Sequence, residues 1–371
     1  MNIPFLDLSL QYNYLKSDIQ QSLDRVCHSS DFILGSAVTK FESEFAEFLN
    51  SAHVIGVANG TDALYLGYKA FKVGPGDEVI LPANTFIATA LAVIKCGAKP
   101  VLVDCDPHSY LIDTEQMQSC ITSSTRVLCP VSLYGMAVDM EKITQIANRH
   151  QLLVFEDSAQ AHGARFKNRA VGTWGNLGAF SFYPGKNLGA FGDAGAVCTD
   201  DSDLAETIRM LRNYGYSKKY YYGAIGENSR LDTLQAAVLS VKLKHLKAWN
   251  LQRWHSACKY TEKLSSLEQA GLVQLPQLKS AEEHVFHLYT IQTNKRNELQ
   301  QFLLSREIQT GIHYPNPFYL QEAYQGLGYQ KGDFPYTESI AERTLSLPLF
   351  PGMTEDQIHY VCDNILEFLN K

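Results

Sequence analysis

The 371-residue sequence has no long apolar run and no excess of basic charge. Its apolar stretches are all shorter than the roughly 18 residues that a membrane-spanning helix needs. The 32 lysines and arginines are outnumbered by 39 acidic residues, and the formal net charge of -7 argues against a nucleic-acid-binding surface. The first residues, MNIPFLDLSLQYNYLKS, lack the basic and apolar regions of a secretory signal. We therefore expect neither membrane nor nucleic acid as a partner.

Closely spaced cysteine pairs are absent as well. The eight cysteines occur at positions 27, 96, 105, 120, 129, 198, 258 and 362. Because none forms a CxxC pair, a structural metal site is not expected. Scattered thiols in apolar segments are typical of reduced cytoplasmic proteins, so the predicted localisation is cytoplasmic.

From residue 53 onward, short apolar runs alternate with helical patterns. HVIGVANG precedes TDALYLGYKAF, EVILPANTF precedes IATALAVIKCG, and LLVFEDSAQ follows DMEKITQIANRH. Apolar strands that alternate with helices predict an α/β fold with a mostly parallel sheet covered on both faces. In such folds, ligands bind at the carboxyl ends of the strands.

The pattern changes after about residue 245. A long helical region is followed by strand, helix, strand and helix patterns, in which residues 313–320 are expected to open the second strand. We therefore predict a large domain over residues 1–245, with an N-terminal arm, and a small C-terminal α/β domain over residues 246–371.

Lys186 stands in SFYPGKNLGAFGDAGA, among glycines and a proline. A P-loop would need glycine six residues before this lysine and serine or threonine after it, but Phe180 and Asn187 occupy these positions. The strand GAFSFYPGK would hold Lys186 at a strand end facing a pocket. A lysine desolvated in this way loses its charge readily and can act as a Schiff-base nucleophile, whereas a surface lysine is the simpler alternative.

A lysine that holds pyridoxal phosphate (PLP) requires a carboxylate partner for the ring nitrogen. Glu156 and Asp157 end the strand LLVFED, and alternation along the strand turns one of them inward. A charged turn, or Asp157 as a helix N-cap, is the alternative interpretation.

The cofactor's phosphate and ring need partners of their own. Asn59, Gly60 and Thr61 join a strand to a helix whose first N–H groups suit an anion, although an ordinary capped turn would have the same pattern. Ser181 can add a hydroxyl from a neighbouring strand. Phe86 follows another strand and can stack on the ring or, alternatively, pack in the core.

Together these motifs resemble the DegT/DnrJ/EryC1/StrS family of sugar aminotransferases, over almost the whole chain. The motifs that carry the resemblance are NGTDAL, PANTFIATA, FEDSAQAHGA, FSFYPGKNLGAFGDAGA and GENSRLDTLQAAVL. The resemblance implies a fold-type I PLP-dependent transferase, similar to aspartate aminotransferase. It implies that Lys186 forms the Schiff base with PLP, Asp157 binds the ring nitrogen, Gln160 binds the phenolic oxygen and Phe86 covers the ring.

The same resemblance assigns phosphate contacts. Gly60, Thr61 and Ser181 match ligands within one subunit, and Asn228 matches an asparagine that reaches the phosphate from the second subunit. A homodimer with a shared active site is therefore implied.

Within the family, YPGKNLGAFGD resembles enzymes that aminate C3 of dTDP-3-keto-6-deoxyhexoses. Enzymes acting at C4 more often have histidine where Tyr183 stands here, and TTGEGG where this chain has AFGDAGA. The implied product is a dTDP-3-amino-3,6-dideoxyhexose of the glucose or galactose type, used for surface glycans such as O-antigen. Ala194 departs from the family pattern, because glycine usually occupies its position.

Contacts to the sugar nucleotide are expected from two aromatic segments and one histidine. The candidates are Lys219, Tyr221, His313 and Tyr314, for which surface loops are the alternative explanation. His162 can contact the sugar or make a structural hydrogen bond. Tyr183 is a further candidate, from its place before the lysine.

The implied reaction has two halves. L-glutamate gives its amino group to the cofactor and leaves as 2-oxoglutarate, and the keto sugar then receives the group, with Lys186 moving the proton in both halves. The alternatives are amination at C4, an aminotransferase of the scyllo-inosose type, a PLP-dependent sugar dehydratase and a non-catalytic regulator with the same fold. Dehydratases have histidine in place of the lysine, so Lys186 argues against that alternative.

Overall fold

The computed structural model describes residues 1–218 and 220–371. Twelve α-helices are found in this part of the chain. They are α1 (Ser9–Ser29), α2 (Ser36–Leu49), α3 (Gly60–Ala70), α4 (Ile87–Lys95), α5 (Thr114–Ser119), α6 (Met140–His150), α7 (Ser202–Leu211), α8 (Thr233–Leu243), α9 (Leu246–Gln269), α10 (Arg296–Ser305), α11 (Pro335–Arg343) and α12 (Glu355–Leu369). Among these helices, none is both long and apolar enough to cross a bilayer.

Thirteen β-strands accompany the helices in the described residues. They are β1 (His53–Val57), β2 (Glu78–Pro82), β3 (Lys99–Val103), β4 (Thr125–Leu128), β5 (Leu153–Asp157), β6 (Arg165–Phe166), β7 (Arg169–Ala170), β8 (Leu177–Ser181), β9 (Gly195–Thr199), β10 (Tyr216–Lys218), β11 (Tyr221–Tyr222), β12 (Tyr289–Gln292) and β13 (Thr344–Leu347). Short 3₁₀ helices cover Leu133–Gly135, Phe318–Leu320 and Glu322–Leu327.

A seven-stranded sheet forms the centre of the N-terminal part of the chain, between residues 53 and 199. Its strand order is β1-β9-β8-β5-β4-β2-β3, and β9 alone runs antiparallel to its neighbours in this sheet. Buried apolar side chains from α3, α4 and α7 pack on one face, and those from α5 and α6 form a second cluster with the sheet. The α/β fold with a mostly parallel sheet, predicted from the sequence, is therefore confirmed.

The C-terminal region has a separate apolar cluster. Helices α9, α10 and α12 pack around the antiparallel pair β12 and β13. The second strand of this region is β13, so the expectation that residues 313–320 open a strand was wrong. Pro315 and Pro317 cannot donate ladder hydrogen bonds, and the segment forms a loop that ends in a 3₁₀ turn.

Two chain segments pack across the predicted domain division at residue 245. Ile3 pairs with Ile308 and is buried in the C-terminal cluster. In the other direction, Phe318 and Phe334 belong to the apolar cluster of the large sheet. The N-terminal arm and the segment before α11 therefore tie the two regions together.

Candidate active site

A cavity of about 780 Å³ lies at the carboxyl ends of the parallel strands. Its walls include residues that directly follow or end β1, β2, β4, β5 and β8, as expected for a ligand site in an open α/β sheet. These residues are Asn59, Gly60, Thr61, Thr85, Phe86, Val131, Asp157, Gln160 and Ser181. The small C-terminal region closes the cavity with His287, Leu347, Leu349, His313 and Tyr314.

Lys186 reaches this cavity from the turn after β8. Its backbone N–H donates to the carbonyl oxygen of Tyr183 at 2.8 Å, which closes the Pro-Gly turn. Burial lowers the pKa of the Lys186 ammonium to about 8, and the carboxylate of Asp157 opposes this shift. A neutral amine is therefore accessible near pH 8, as a nucleophile or proton carrier requires.

Asp157 is the last residue of β5 and faces the cavity. Its Oδ2 accepts a hydrogen bond from Thr89 Oγ1 at 2.7 Å, and its Oδ1 accepts one from the Ala159 N–H at 3.2 Å. Burial raises the pKa of Asp157, whereas these two hydrogen bonds and the charge of Lys186 lower it. Asp157 is therefore a desolvated carboxylate held in a fixed orientation.

Glu156 points to the opposite side of the sheet. Its carboxylate accepts hydrogen bonds from the backbone N–H groups of Gly172, Trp174 and Gly175 at 2.6–2.8 Å. Burial raises its pKa to about 7, against the opposing effect of these three donors. Of the two adjacent acids, Asp157 is thus the one turned toward Lys186.

Helix α3 begins at the cavity with its first N–H groups available. Asn59 caps the helix by accepting from the Asp62 N–H at 2.8 Å. In the described part of the chain, the N–H groups of Gly60 and Thr61 donate to no other group. A Cβ on Gly60 would approach the Cβ of Ser181 to 2.6 Å, so glycine is required where the helix packs against β8. This helix start suits a phosphate.

Ala194 fits its position without strain. The residue is buried, and its carbonyl oxygen accepts a hydrogen bond from the Phe182 N–H at 2.8 Å. The backbone contact that excludes a side chain occurs at the next residue. A Cβ on Gly195 would lie 2.4 Å from the Asn59 carbonyl carbon. The chain keeps glycine where the contact demands it, and the methyl of Ala194 packs in the apolar cluster of α2 and α8.

Gln160 lines the cavity with its amide orientation fixed. Its Oε1 accepts from the Tyr134 N–H at 2.7 Å, so Nε2 is directed to the hydroxyl of Tyr314 at 3.2 Å. Phe86 lies beside Tyr314, with ring centroids 5.4 Å apart. An amide donor and an aromatic ring therefore stand at the same wall of the cavity.

His162 does not reach the cavity, and the expectation that it contacts the sugar is corrected. The residue is 0% exposed, and its ring packs against Phe180 and Phe182 with centroids 5.5–5.6 Å apart. Burial lowers its pKa to about 3. His162 is a neutral core residue on the side of the sheet covered by α2.

The remaining candidates differ in position. Tyr183, His313 and Tyr314 line the cavity, whereas Tyr221 is 61% exposed on the β10–β11 hairpin and Asn228 is exposed in the following loop. Lys219, the other candidate for a sugar-nucleotide contact, lies outside the described residues. Within one chain, neither Tyr221 nor Asn228 lines the cavity.

Sequence reasoning missed four further residues at or behind the cavity wall: Thr85, Thr89, His287 and Arg253. The two threonines stand four residues apart in TFIAT, a spacing that signals contact at a helix start. Arg253 and His287 come from the C-terminal half of the chain, and no local pattern connects them with the sheet.

The depressed pKa of Lys186 predicts an unusual pH dependence of stability for the cofactor-free protein. Between pH 8 and 10.5 the unfolded chain binds more protons at this site than the folded chain, so this site makes the free energy of unfolding rise with pH in that window. Lys186→Met should therefore stabilise the cofactor-free protein by about 2–3 kcal/mol at pH 7. The gain should shrink as the pH rises to 10.5, as measured by urea unfolding.

A matched control for this measurement is Lys16→Met, which removes an exposed lysine of α1 away from the cavity. Its effect on the free energy of unfolding should be within about 0.5 kcal/mol at both pH values. A destabilising Lys186→Met substitution at pH 7 would contradict the assigned desolvation of this amine.

Comparison with known proteins gives a consistent result. Residues 13–366 match the DegT/DnrJ/EryC1/StrS aminotransferase family. The chain is 48% identical to the pleiotropic regulatory protein of Geobacillus stearothermophilus, covering 99% of each. It is 44% identical to the dTDP-3-amino-3,4,6-trideoxy-alpha-D-glucose transaminase of Streptomyces venezuelae, covering 100% of this chain and 97% of the relative.

A further relative and a solved structure extend this result. The dTDP-3-amino-3,6-dideoxy-alpha-D-galactopyranose transaminase of Aneurinibacillus thermoaerophilus is 44% identical, with 98% of each protein covered. The crystal structure of S. venezuelae DesV in complex with a ketimine intermediate superposes with a TM-score of 0.96 at 44% identity, covering 100% of this chain and 99% of that one.

Proposed function

Because the chain belongs to the DegT/DnrJ/EryC1/StrS aminotransferase family, we propose that it transfers the amino group of L-glutamate to C3 of a dTDP-3-keto-6-deoxyhexose. The chain is a PLP-dependent sugar aminotransferase, as its family and the names of its relatives indicate. The observation that carries the proposal is Lys186, a lysine with a depressed pKa that faces Asp157 in a strand-end cavity.

The residues of the cavity fit PLP group by group. The free N–H groups of Gly60 and Thr61 would hold the phosphate, and the hydroxyl of Ser181 lies beside them. The carboxylate of Asp157 would accept the N–H of the pyridine ring. The amine of Lys186 would hold the aldehyde carbon.

Two further residues would contact the phenolic oxygen and one face of the ring. Gln160 has Nε2 directed into the cavity wall, so it would donate to the phenolic oxygen. Phe86 would cover one face of the ring, since it lines the cavity and is only half-buried.

When bound, PLP supplies an electron sink for the electron pair left on a carbon that loses its proton. Lys186 would take this proton from Cα of L-glutamate and would deliver it to the cofactor carbon that the lysine amine had held. The pKa of about 8 suits this task, because the amine can be either proton acceptor or donor near neutral pH. Asp157 would favour the reaction by keeping a negative charge next to the ring nitrogen.

The relatives support a sugar nucleotide as the second substrate. Both named transaminases aminate C3 of a dTDP-linked deoxy sugar, and they differ in the sugar that they make. We therefore propose a dTDP-3-amino-3,6-dideoxyhexose as the product, for surface glycan synthesis. Tyr183, His313 and Tyr314 would contact the sugar from the cavity wall.

We also propose that two copies of the chain share the active site. Apolar side chains at the start of α1 and in the glycine-rich turn remain exposed and line a groove with Pro184: Leu8 just before α1, Tyr12 of α1 and Phe191 of the turn. An apolar surface of this kind is expected at an interface. In the dimer, Asn228 and the β10–β11 hairpin with Tyr221 would reach the partner's cavity. Mixing Lys186→Ala with Asn228→Ala protein should then restore part of the activity that both lack, whereas strictly additive activities would contradict the shared site.

Product analysis tests the proposed function. The purified protein would receive L-glutamate with either a dTDP-3-keto- or a dTDP-4-keto-6-deoxyhexose, and proton NMR would locate the new amino group. We expect turnover of the 3-keto sugar and an amino group at C3. Amination only at C4 would refute the substrate assignment. Loss of glutamate without any sugar product would show that the aminotransferase uses another amino acceptor.

A further inference from the structure

Two threonines connect Asp157 to the cavity wall through buried hydrogen bonds. Thr89, the third residue of α4, donates from Oγ1 to Asp157 Oδ2 at 2.7 Å and is 0% exposed. Thr85, in the turn that follows β2, lies with its Oγ1 2.8 Å from Thr89 Oγ1. Thr85 also lines the cavity, whereas Thr89 lies behind it.

The chemistry of the groups fixes the direction of both bonds. An ionised carboxylate can only accept hydrogen bonds, so the single hydroxyl proton of Thr89 is used on Asp157. The bond between the threonines must then be donated by Thr85 to the oxygen of Thr89. The hydroxyl of Thr85 keeps only acceptor capacity toward the cavity. When Asp157 is ionised, both hydroxyl protons of this chain therefore point toward the carboxylate.

The surroundings of Asp157 otherwise favour its neutral form. Burial raises the pKa of Asp157. Lys186 is the one cation that acts on Asp157 among the described residues, and Glu156 faces the opposite side of the sheet. The other titratable groups packed nearby carry no positive charge. These neutral groups are Tyr68, Cys129 and Tyr314. The donors on Asp157 are thus needed to keep a negative charge in place when Lys186 is neutral.

We propose that Thr85 and Thr89 are positioning residues that hold Asp157 ionised and oriented to accept the N–H of the PLP ring. The inference rests on the proposed role of Asp157 and requires nothing of the sugar substrate. Thr89 contributes a direct, charge-assisted hydrogen bond to the carboxylate, and Thr85 orients Thr89. Neither residue is a catalytic residue.

Three variants test this relay: Thr89→Val, which keeps the shape but removes the donor, Thr89→Ser, which keeps the donor, and Thr85→Val. For Thr89→Val we expect PLP affinity to fall by about tenfold, because a hydrogen bond to a charged group is lost. The acid limb of the pH titration of the bound cofactor's visible absorption should move up by about one pH unit.

Kinetics should show the same pattern. In the half-reaction with L-glutamate, Thr89→Val should lower the rate at saturation and leave the KM for glutamate unchanged, because neither threonine is proposed to bind glutamate. Thr89→Ser should keep PLP affinity and the pH profile within about threefold of the starting protein. Thr85→Val should weaken PLP binding by about threefold, as expected for a hydrogen bond between neutral groups.

Two outcomes would overturn the proposal. One is a folded Thr89→Val protein with unchanged PLP affinity and an unchanged pH profile. The other is a Thr89→Ser protein that fails as Thr89→Val does, because this would show a requirement for the threonine methyl and not for the hydroxyl. If Thr89→Val does not fold, an unchanged pH profile in Thr85→Val overturns the relay instead. The proposed sugar substrate can fail separately, since these measurements use only PLP and L-glutamate.

Discussion

Replacing Lys186 with alanine is expected to lower the rate of the glutamate half-reaction by about 10²–10⁴-fold, the usual contribution of a positioned acid–base group. The visible absorption of the PLP-bound protein should also change, because the only amine proposed to hold the aldehyde carbon is removed. The physical reason is the desolvated amine with a pKa of about 8 that faces Asp157. Single-turnover absorbance changes after addition of L-glutamate measure the effect.

Lys242→Met is a matched control for this experiment. Lys242 is also buried, and burial lowers its pKa to about 8, but its Nζ donates to the carbonyl oxygen of Gly189 at 2.5 Å outside the main cavity. The control should retain the half-reaction. Wild-type rates in Lys186→Ala protein would contradict the mechanism, and equal loss in both variants would point to a general effect on folding.

Replacing Asp157 with asparagine is expected to lower the same rate by about 10²–10³-fold, a typical cost of removing a preorganised electrostatic partner. The carboxylate is fixed by Thr89 and the Ala159 N–H, so asparagine would keep much of the shape and lose the charge. PLP affinity, measured by absorbance titration, should fall as well.

Asp104→Asn is the control for a buried strand-end carboxylate. Asp104 follows β3 and accepts hydrogen bonds from the N–H groups of Tyr336 and Thr337 at the start of α11, both at 2.8 Å. Its loss should lower the free energy of unfolding by about 1–3 kcal/mol and leave the half-reaction rate nearly unchanged. A full-rate Asp157→Asn protein would remove Asp157 from the mechanism.

The strand-end motifs of the large sheet could be predicted because their signals are local. Asp157 ends an apolar strand, and Gly60 and Lys186 each follow one within a few residues. Parallel strands bring such ends together. The motif alone shows that Ala194 replaces the usual glycine. Only the structure identifies Gly195 as the glycine that a close contact requires.

Contacts from distant segments could not be predicted in this way. Tyr314 reaches Gln160 from more than 150 residues away, along a loop whose prolines and aromatics resembled a strand. The strand β13 was missed because TLSL is short and half polar, and its burial comes from packing in the C-terminal cluster. His162 looked available because its burial is set by Phe180 and Phe182 on another strand segment.

The exchange of the α-proton of L-glutamate in heavy water tests most directly that Lys186 carries this proton. The PLP-loaded protein and its Lys186→Ala variant would be incubated with L-glutamate in D₂O, without sugar, and followed by proton NMR. The amine of Lys186 exchanges its protons with solvent, so we predict loss of the α-proton signal with the unchanged protein and none with the variant. Exchange at equal rates in both proteins would contradict the account.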